Sequence, residues 1–252
     1  MPGTVRNAAT GFPVGNKGYI TTGYNPDQKY LADTWEYDPQ TNTWRQMDDF
    51  KGGARYYALG FGIDNYGYVG TGYNDNYLKD FYRFDPTAAA GSQWTIVNGF
   101  GGQKRQGATA FVINGKAYVC GGQNNNSDVS DFWRFDPSAA TPWTQLRDIA
   151  NTSDDDYDDD YTSIVRSYGV SFVIDGKAYL TLGSTAGGSY YSNHLIYDPE
   201  ADLWEGDDLT AFEGSTRIHA VCFSTGTRGI IATGGSGSSS YFDDTWELKP
   251  YE

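Results

Sequence analysis

The chain has 252 residues, and its 18 lysines and arginines stand against 32 aspartates and glutamates, a formal net charge of −14. That field repels a phosphate backbone and an anionic membrane surface, so neither nucleic acid nor membrane is an expected partner; no apolar run approaches the ~20 residues needed to span a bilayer. The 21 Tyr, 13 Phe and 7 Trp, interspersed with 32 Gly, read as many short strands joined by glycine turns: an all-β chain without long amphipathic helices.

In chain order, the first predicted unit opens at Arg6. It continues with an apolar strand at 19–24 (Y-I-T-T-G-Y), a second at 33–39 (D-T-W-E-Y-D-P) and a short strand opened by Trp44. The same series returns from Arg55, with segments at 68–73 and 80–86 and Trp94, and from Arg105, with segments at 118–122 and 131–137 and Trp143. An acidic insert, 151–161, carrying Asp154, Asp155, Asp156, Asp158, Asp159 and Asp160, interrupts the spacing. Two further units follow: Arg166 with 179–184, 193–199 and Trp204, then Arg217 with 230–235 and 244–250 but no later Trp. In every unit 13 positions separate the arginine from Tyr19, Tyr68, Tyr118, Tyr179 or Ile230.

Each landmark has a physical reason. Short apolar or alternating runs are buried strands. Glycine ends the second strand where the chain must turn or approach another backbone closely. Proline after Asp ends the third strand, because it lacks a donor, and the Asp can bond the turn's backbone. The outer Trp packs across the gap to a neighbouring unit. One such unit cannot bury both faces of its sheet, so copies must stack.

The repeat G-K-A-Y-V-C-G-G … D-F-W-R-F-D-P … W (Gly115–Gly122, Asp131–Pro137, Trp143), with its upstream arginine, resembles the kelch repeat over essentially the whole chain. The resemblance implies a single all-β domain over 1–252. This would be a kelch-type β-propeller with five visible four-stranded blades at approximately 1–50, 51–100, 101–150, 162–212 and 213–252, the last lacking its outer strand. Gly15-Asn16-Lys17-Gly18-Tyr19-Ile20 is similar to tandem kelch repeats of bacterial cell-surface proteins. An extracytoplasmic or cell-surface location in a bacterium is therefore expected, with a leader absent from this chain; a cytoplasmic one stays open. The missing outer strand suggests a fragment of a longer chain, and an unpaired edge invites self-association.

The strands' predicted directions place Arg6, Arg55, Arg105, Arg166 and Arg217 around one mouth of the channel. There they either fork onto an anionic ligand or bond loop carbonyls and a nearby Asp. In kelch substrate adaptors, arginines at this position help bind acidic peptides, so the resemblance implies that role. Two positions on, strand alternation puts Ala8, Tyr57, Gly107, Tyr168 and His219 on the arginines' side. Tyr57, Tyr168 and His219 depart from the small-residue pattern and are candidate pocket lining, or channel filling. The acidic insert could gather Ca²⁺ but lacks the spacing of a calcium loop, and no metal or cofactor is assigned. Cys120 and Cys222 read as small buried hydrophobes.

The expected function is non-catalytic recognition of an acidic peptide, glycan or partner protein on the arginine face. One alternative is a sugar-processing enzyme of the N-acetylneuraminate epimerase type, a kelch propeller; another is a structural spacer in a cell-surface protein. No catalytic residues are assigned: His194 and His219 are the sole histidines and no nucleophile motif occurs.

Overall fold

The computed structural model describes residues 1–206, 209–237 and 239–250. They form two compact units, residues 1–106 with 136–143, and residues 107–135 with the described part of 144–252. The fold is an all-β, five-bladed propeller of antiparallel sheets.

In the first unit, blade 1 comprises Thr10–Val14, Lys17–Thr21, Thr34–Asp38 and Thr43–Gln46, each strand paired with the next. Blade 2 repeats this with Leu59–Ile63, Tyr66–Gly70, Phe81–Phe84 and Trp94–Val97. The first strands alternate buried and more exposed residues, the signature of a strand with one face on a core. Phe12 lies against the next blade, its ring centroid 5.9 Å from that of Phe84 and 6.4 Å from Trp94. Gly67 makes room for it: a Cβ there would come within 2.1 Å of the Phe12 ring.

Blade 3 comprises Thr109–Ile113, Lys116–Cys120, Trp133–Phe135 and Trp143–Gln145, and blade 4 comprises Val170–Ile174, Lys177–Thr181, His194–Asp198 and Leu203–Glu205. Their first hairpins turn on Asn114-Gly115 and Asp175-Gly176, all four residues at positive φ, as a two-residue hairpin that follows the strand twist requires. In the second unit Phe111 packs on Tyr197 and Trp204 of the next blade, centroids 5.8 and 6.2 Å apart.

Blade 5 has three strands among the described residues, Val221–Ser224, Gly229–Ala232 and Thr245–Leu248. Its expected range runs to residue 252, of which 238, 251 and 252 lie outside the described residues. Val221 and Phe223 are exposed, whereas their counterparts Val170 and Phe172 in blade 4 are buried.

The acidic insert folds into two short 3-10 turns, Asp156–Asp158 and Tyr161–Ser163. Asp158 is buried and accepts the backbone N–H groups of Thr152 and Ser153 at 2.9 Å each, plus the Ser153 hydroxyl. Burial works to raise its pKa, but these bonds outweigh it and hold the carboxyl below its ordinary value. Tyr161 anchors the loop by accepting the Trp204 N–H at 2.8 Å. One member of the aspartate run is thus a loop staple, and the other five are exposed.

Candidate binding face

The recurring arginines are internal. Arg55, Arg105, Arg166 and Arg217 are no more than 1% exposed, and the Arg6 side chain is 3% exposed. In each repeat Nε donates to the carbonyl two residues back, on Thr4, Gly53, Gln103, Ile164 and Ser215. Nη1 donates to the carbonyl sixteen residues on, at Thr22, Thr71, Leu182 and Thr233, over 2.9–3.0 Å. Arg6 also forks onto Asp33, Arg55 onto Asp80 and Arg217 onto Asp244, each an aspartate of its own blade.

In blades 2 to 5 the arginine's own carbonyl reaches back to the preceding blade. Arg55 accepts from Gly23 N–H and Arg105 from Gly72 N–H, both at 2.8 Å, as Arg166 accepts from Gly122 and Arg217 from Gly183. These glycines have positive φ, and a Cβ on Gly72 would lie 2.9 Å from the Tyr56 carbonyl oxygen. Of the two roles the sequence left open for the arginines, these contacts are of the scaffold kind: the guanidiniums of Arg6, Arg55, Arg166 and Arg217 bind their own blade's strand ends together, and the main chain at Arg55, Arg105, Arg166 and Arg217 ties each of those blades to the one before.

Blade 4 departs from the rule. Asn193 replaces the aspartate, accepting from Arg166 Nη2 at 2.9 Å while its own Nδ2 donates to the Ser163 hydroxyl. Burial, without a carboxylate to offset it, lowers the Arg166 pKa to about 10. Asn193→Asp should stabilise the domain by about 1 kcal/mol, the difference between hydrogen bonds to neutral and charged acceptors. The expected gain in melting temperature is roughly 2–4 °C; an unchanged midpoint would show that the new carboxylate's desolvation cancels its pairing.

The positions two after the arginines, Ala8, Tyr57, Gly107, Tyr168 and His219, share one conformation, with φ of 51, 52, 65, 58 and 60°. They precede the first strands and lie in left-handed bends, so the alternation used to place them beside the arginines does not apply. The bend aims backbone N–H groups across the blade boundary, Tyr57 to Ala8 O at 3.0 Å and Tyr168 to Gly107 O at 2.8 Å. Holding Tyr and His there costs energy, and such strain clusters at functional sites.

Tyr168 and His219 meet edge to face at 4.6 Å, and Gln123 Nε2 donates to the Tyr168 hydroxyl at 2.7 Å. Gly107 leaves the space, since a Cβ would lie 2.4 Å from the Tyr168 ring. Burial lowers the His219 pKa and so favours the neutral ring.

Tyr57, in the first unit, belongs to a larger aromatic group. Tyr56 stacks on Tyr30 at 5.7 Å and 4°, and its ring also meets Tyr24, Tyr57 and Tyr73 at 5.6, 4.7 and 5.7 Å; Tyr73 meets Tyr77 at 4.9 Å. All six rings are half-buried. The Tyr30 hydroxyl donates to Asp75 at 2.6 Å, a bond that raises the phenol's pKa to about 12. Of these six tyrosines, the repeat register singles out Tyr57 alone as candidate pocket lining. The available signal was departure from the repeat: where blades 1 and 2 carry Tyr24 and Tyr73, blades 3 to 5 carry Gln123, Ser184 and Gly235.

Among the described residues, no three His, Cys, Asp or Glu side chains gather as a metal site. Cys120 is buried, whereas Cys222 is half-buried and donates its thiol to Ser171 O at 3.0 Å.

Residues 14–155 match the family model of the KLHDC2/KLHL20/DRC7 Kelch-repeats domain. The chain belongs to the kelch-repeat family. N-acetylneuraminate epimerases of Yersinia pestis (strain Pestoides F) and Yersinia pseudotuberculosis (serotype O:1b, strain IP 31758) are each 29% identical over 164 residues. These alignments take in 54% of this kelch chain but 41% of each relative, so the chain spans well under half the length of the curated proteins it matches. The solved structure of YjhT superposes with a TM-score of 0.79 at 15% identity, over 100% of this chain and 83% of that one, a likeness of fold.

Proposed function

We propose that this kelch propeller is a glycan-recognition module whose contact surface is the tyrosine platform of blades 1 and 2. The observation that carries the reading is the group of half-exposed rings of Tyr24, Tyr30, Tyr56, Tyr57, Tyr73 and Tyr77. Stacked phenols offer flat apolar faces for the C–H side of a sugar ring and hydroxyls that donate and accept, at a low entropy cost for rigid side chains. Asp75 adds a carboxylate acceptor beside Tyr30. The arginines' donors are directed into the blades, which argues against an acidic ligand held by that set. The name of the Yersinia relatives, which specifies an N-acetylated sugar acid, adds support for a carbohydrate.

A second reading, sugar processing, draws on Tyr168 and His219: an imidazole that desolvation favours in its neutral form, beside a phenol, is suited to proton transfer. One experiment serves both. Titration calorimetry against neutral oligosaccharides and N-acetylneuraminate should yield binding that Tyr56→Ala weakens roughly 30-fold, the loss of a hot-spot ring worth about 2 kcal/mol. Tyr168→Phe and His219→Ala should leave that binding intact. If these two abolish it and Tyr56→Ala does not, the site moves to the Tyr168–His219 pair; if no sugar binds, the glycan reading fails.

A further inference from the structure

Aromatic faces in this protein attract the chain's own cations. The Arg83 guanidinium lies 4.5 Å from the centroid of the Tyr66 ring, Arg147 lies 4.6 Å from that of Tyr157 and Arg166 lies 4.4 Å from that of Tyr191. The negative face of a phenol draws a positive charge, and the contact strengthens as water is excluded from it. Five rings of the tyrosine platform differ. Among the described residues, no lysine or arginine lies over Tyr24, Tyr30, Tyr56, Tyr73 or Tyr77.

The arrangement of the rings keeps their faces open. Tyr30 and Tyr56 are parallel within 4° at 5.7 Å, the spacing of an offset pair, so part of each face is left uncovered. Tyr24 leans against both, tilted 57° to Tyr30 and 54° to Tyr56. All five rings are half-buried, and each keeps a part that faces solvent.

A carboxylate stands beside them. Asp75 is exposed; its Oδ1 accepts from the Tyr30 hydroxyl at 2.6 Å, and its Oδ2 accepts no hydrogen bond among the described residues. The neighbouring lysines, Lys29 and Lys79, are also exposed and make no ion pair among the described residues. Asp75 therefore keeps an acceptor for a cation from outside the chain. Burial raises the Tyr56 pKa and the Asp75 bond raises that of Tyr30, so both phenols stay uncharged and Asp75 supplies the negative charge.

We propose, building on the glycan reading of this surface, that the platform selects amino sugars. A protonated, non-acetylated amine of the ligand sits over the phenol faces beside Asp75, and the C–H side of the sugar lies on an adjoining ring. Acetylation removes the positive charge. An acidic sugar brings a charge that the ring faces and Asp75 both repel, and the repeat arginines, buried within their blades, offer it no compensation. The expected order of affinity is amino sugar, then acetylated sugar, then acidic sugar.

The probes are the tetrasaccharide of N-acetylglucosamine and its fully de-N-acetylated counterpart, titrated calorimetrically into the 252-residue chain at mildly acidic pH, which protonates the amines. The de-N-acetylated probe should bind roughly 5–30-fold more tightly, the worth of a cation over partly exposed phenols beside a carboxylate. Added salt should narrow the gap. Asp75→Asn keeps an acceptor for Tyr30 and should reduce the preference about 2–5-fold while leaving the acetylated probe's affinity unchanged. Tyr56→Ala should weaken both probes, and the melting temperature of each variant checks that it is folded. Equal affinity for the two probes, or a preference for the acetylated one, overturns amine selection while the glycan reading stands. A preference that neither substitution alters overturns it too, because the net charge of −14 alone would then be drawing a cationic oligomer. Binding of neither probe removes the glycan reading and amine selection together.

Discussion

Arg55→Ala is expected to lower the stability of the kelch domain by about 3–5 kcal/mol, the cost of removing a buried guanidinium that serves three carbonyls and a half-buried carboxylate. At ~2–4 °C per kcal/mol for a domain of this size, the melting temperature should drop by roughly 6–20 °C. The side chain is 1% exposed and donates to the carbonyls of Gly52, Gly53 and Thr71 and to both carboxylate oxygens of Asp80. Phe50 lies under the guanidinium, 4.9 Å from its centroid. Truncation leaves three carbonyls and a carboxylate without their common donor, and a void where the stem packed. Arg45→Ala is the control: its side chain is 62% exposed, and an exposed pair contributes about 0–1 kcal/mol. Scanning calorimetry of the two variants reads the difference directly. Equal midpoints would return Arg55 to the list of ligand-binding candidates.

Gly62→Ala is expected to destabilise by about 1–3 kcal/mol or more, as overpacking does, lowering the midpoint by roughly 2–12 °C. A Cβ at Gly62 would lie 2.0 Å from the Pro13 carbonyl oxygen and 3.1 Å from its carbon, on the first strand of the adjacent blade. Backbone cannot rotate away as a side-chain tip can, so the two first strands must separate. Gly18→Ala tests whether position or residue type matters, because a Cβ at Gly18 meets nothing within 4 Å. That substitution should change stability by no more than about 0.5 kcal/mol. Comparable losses in both variants would assign the effect to strand propensity instead of blade spacing.

The repeat made the fold legible because a propeller imposes the same demands on every blade. Tyr19, Tyr68, Tyr118 and Tyr179 sit on second strands, Trp94 and Trp143 open fourth strands and Trp204 sits within one, as their spacing implies. The arginine–aspartate pairs were legible too in principle: both residues recur, 27, 25 and 27 positions apart in blades 1, 2 and 5. Their recurrence pointed to scaffold as well as to binding, and charge type alone could not choose.

By itself, then, the sequence determined the blade and its number of copies, since hydrophobic period, turn glycines and a fixed spacing are local properties of the chain. Tertiary structure decided which polar groups are spent. Whether a guanidinium faces water or a carboxylate of its own blade depends on a partner about 25 residues away. It also decided the left-handed bend that takes Tyr57, Tyr168 and His219 out of strand alternation. The tyrosine platform has the same origin: Tyr24, Tyr30, Tyr56, Tyr73 and Tyr77 come from two blades and become one surface only when those blades stack.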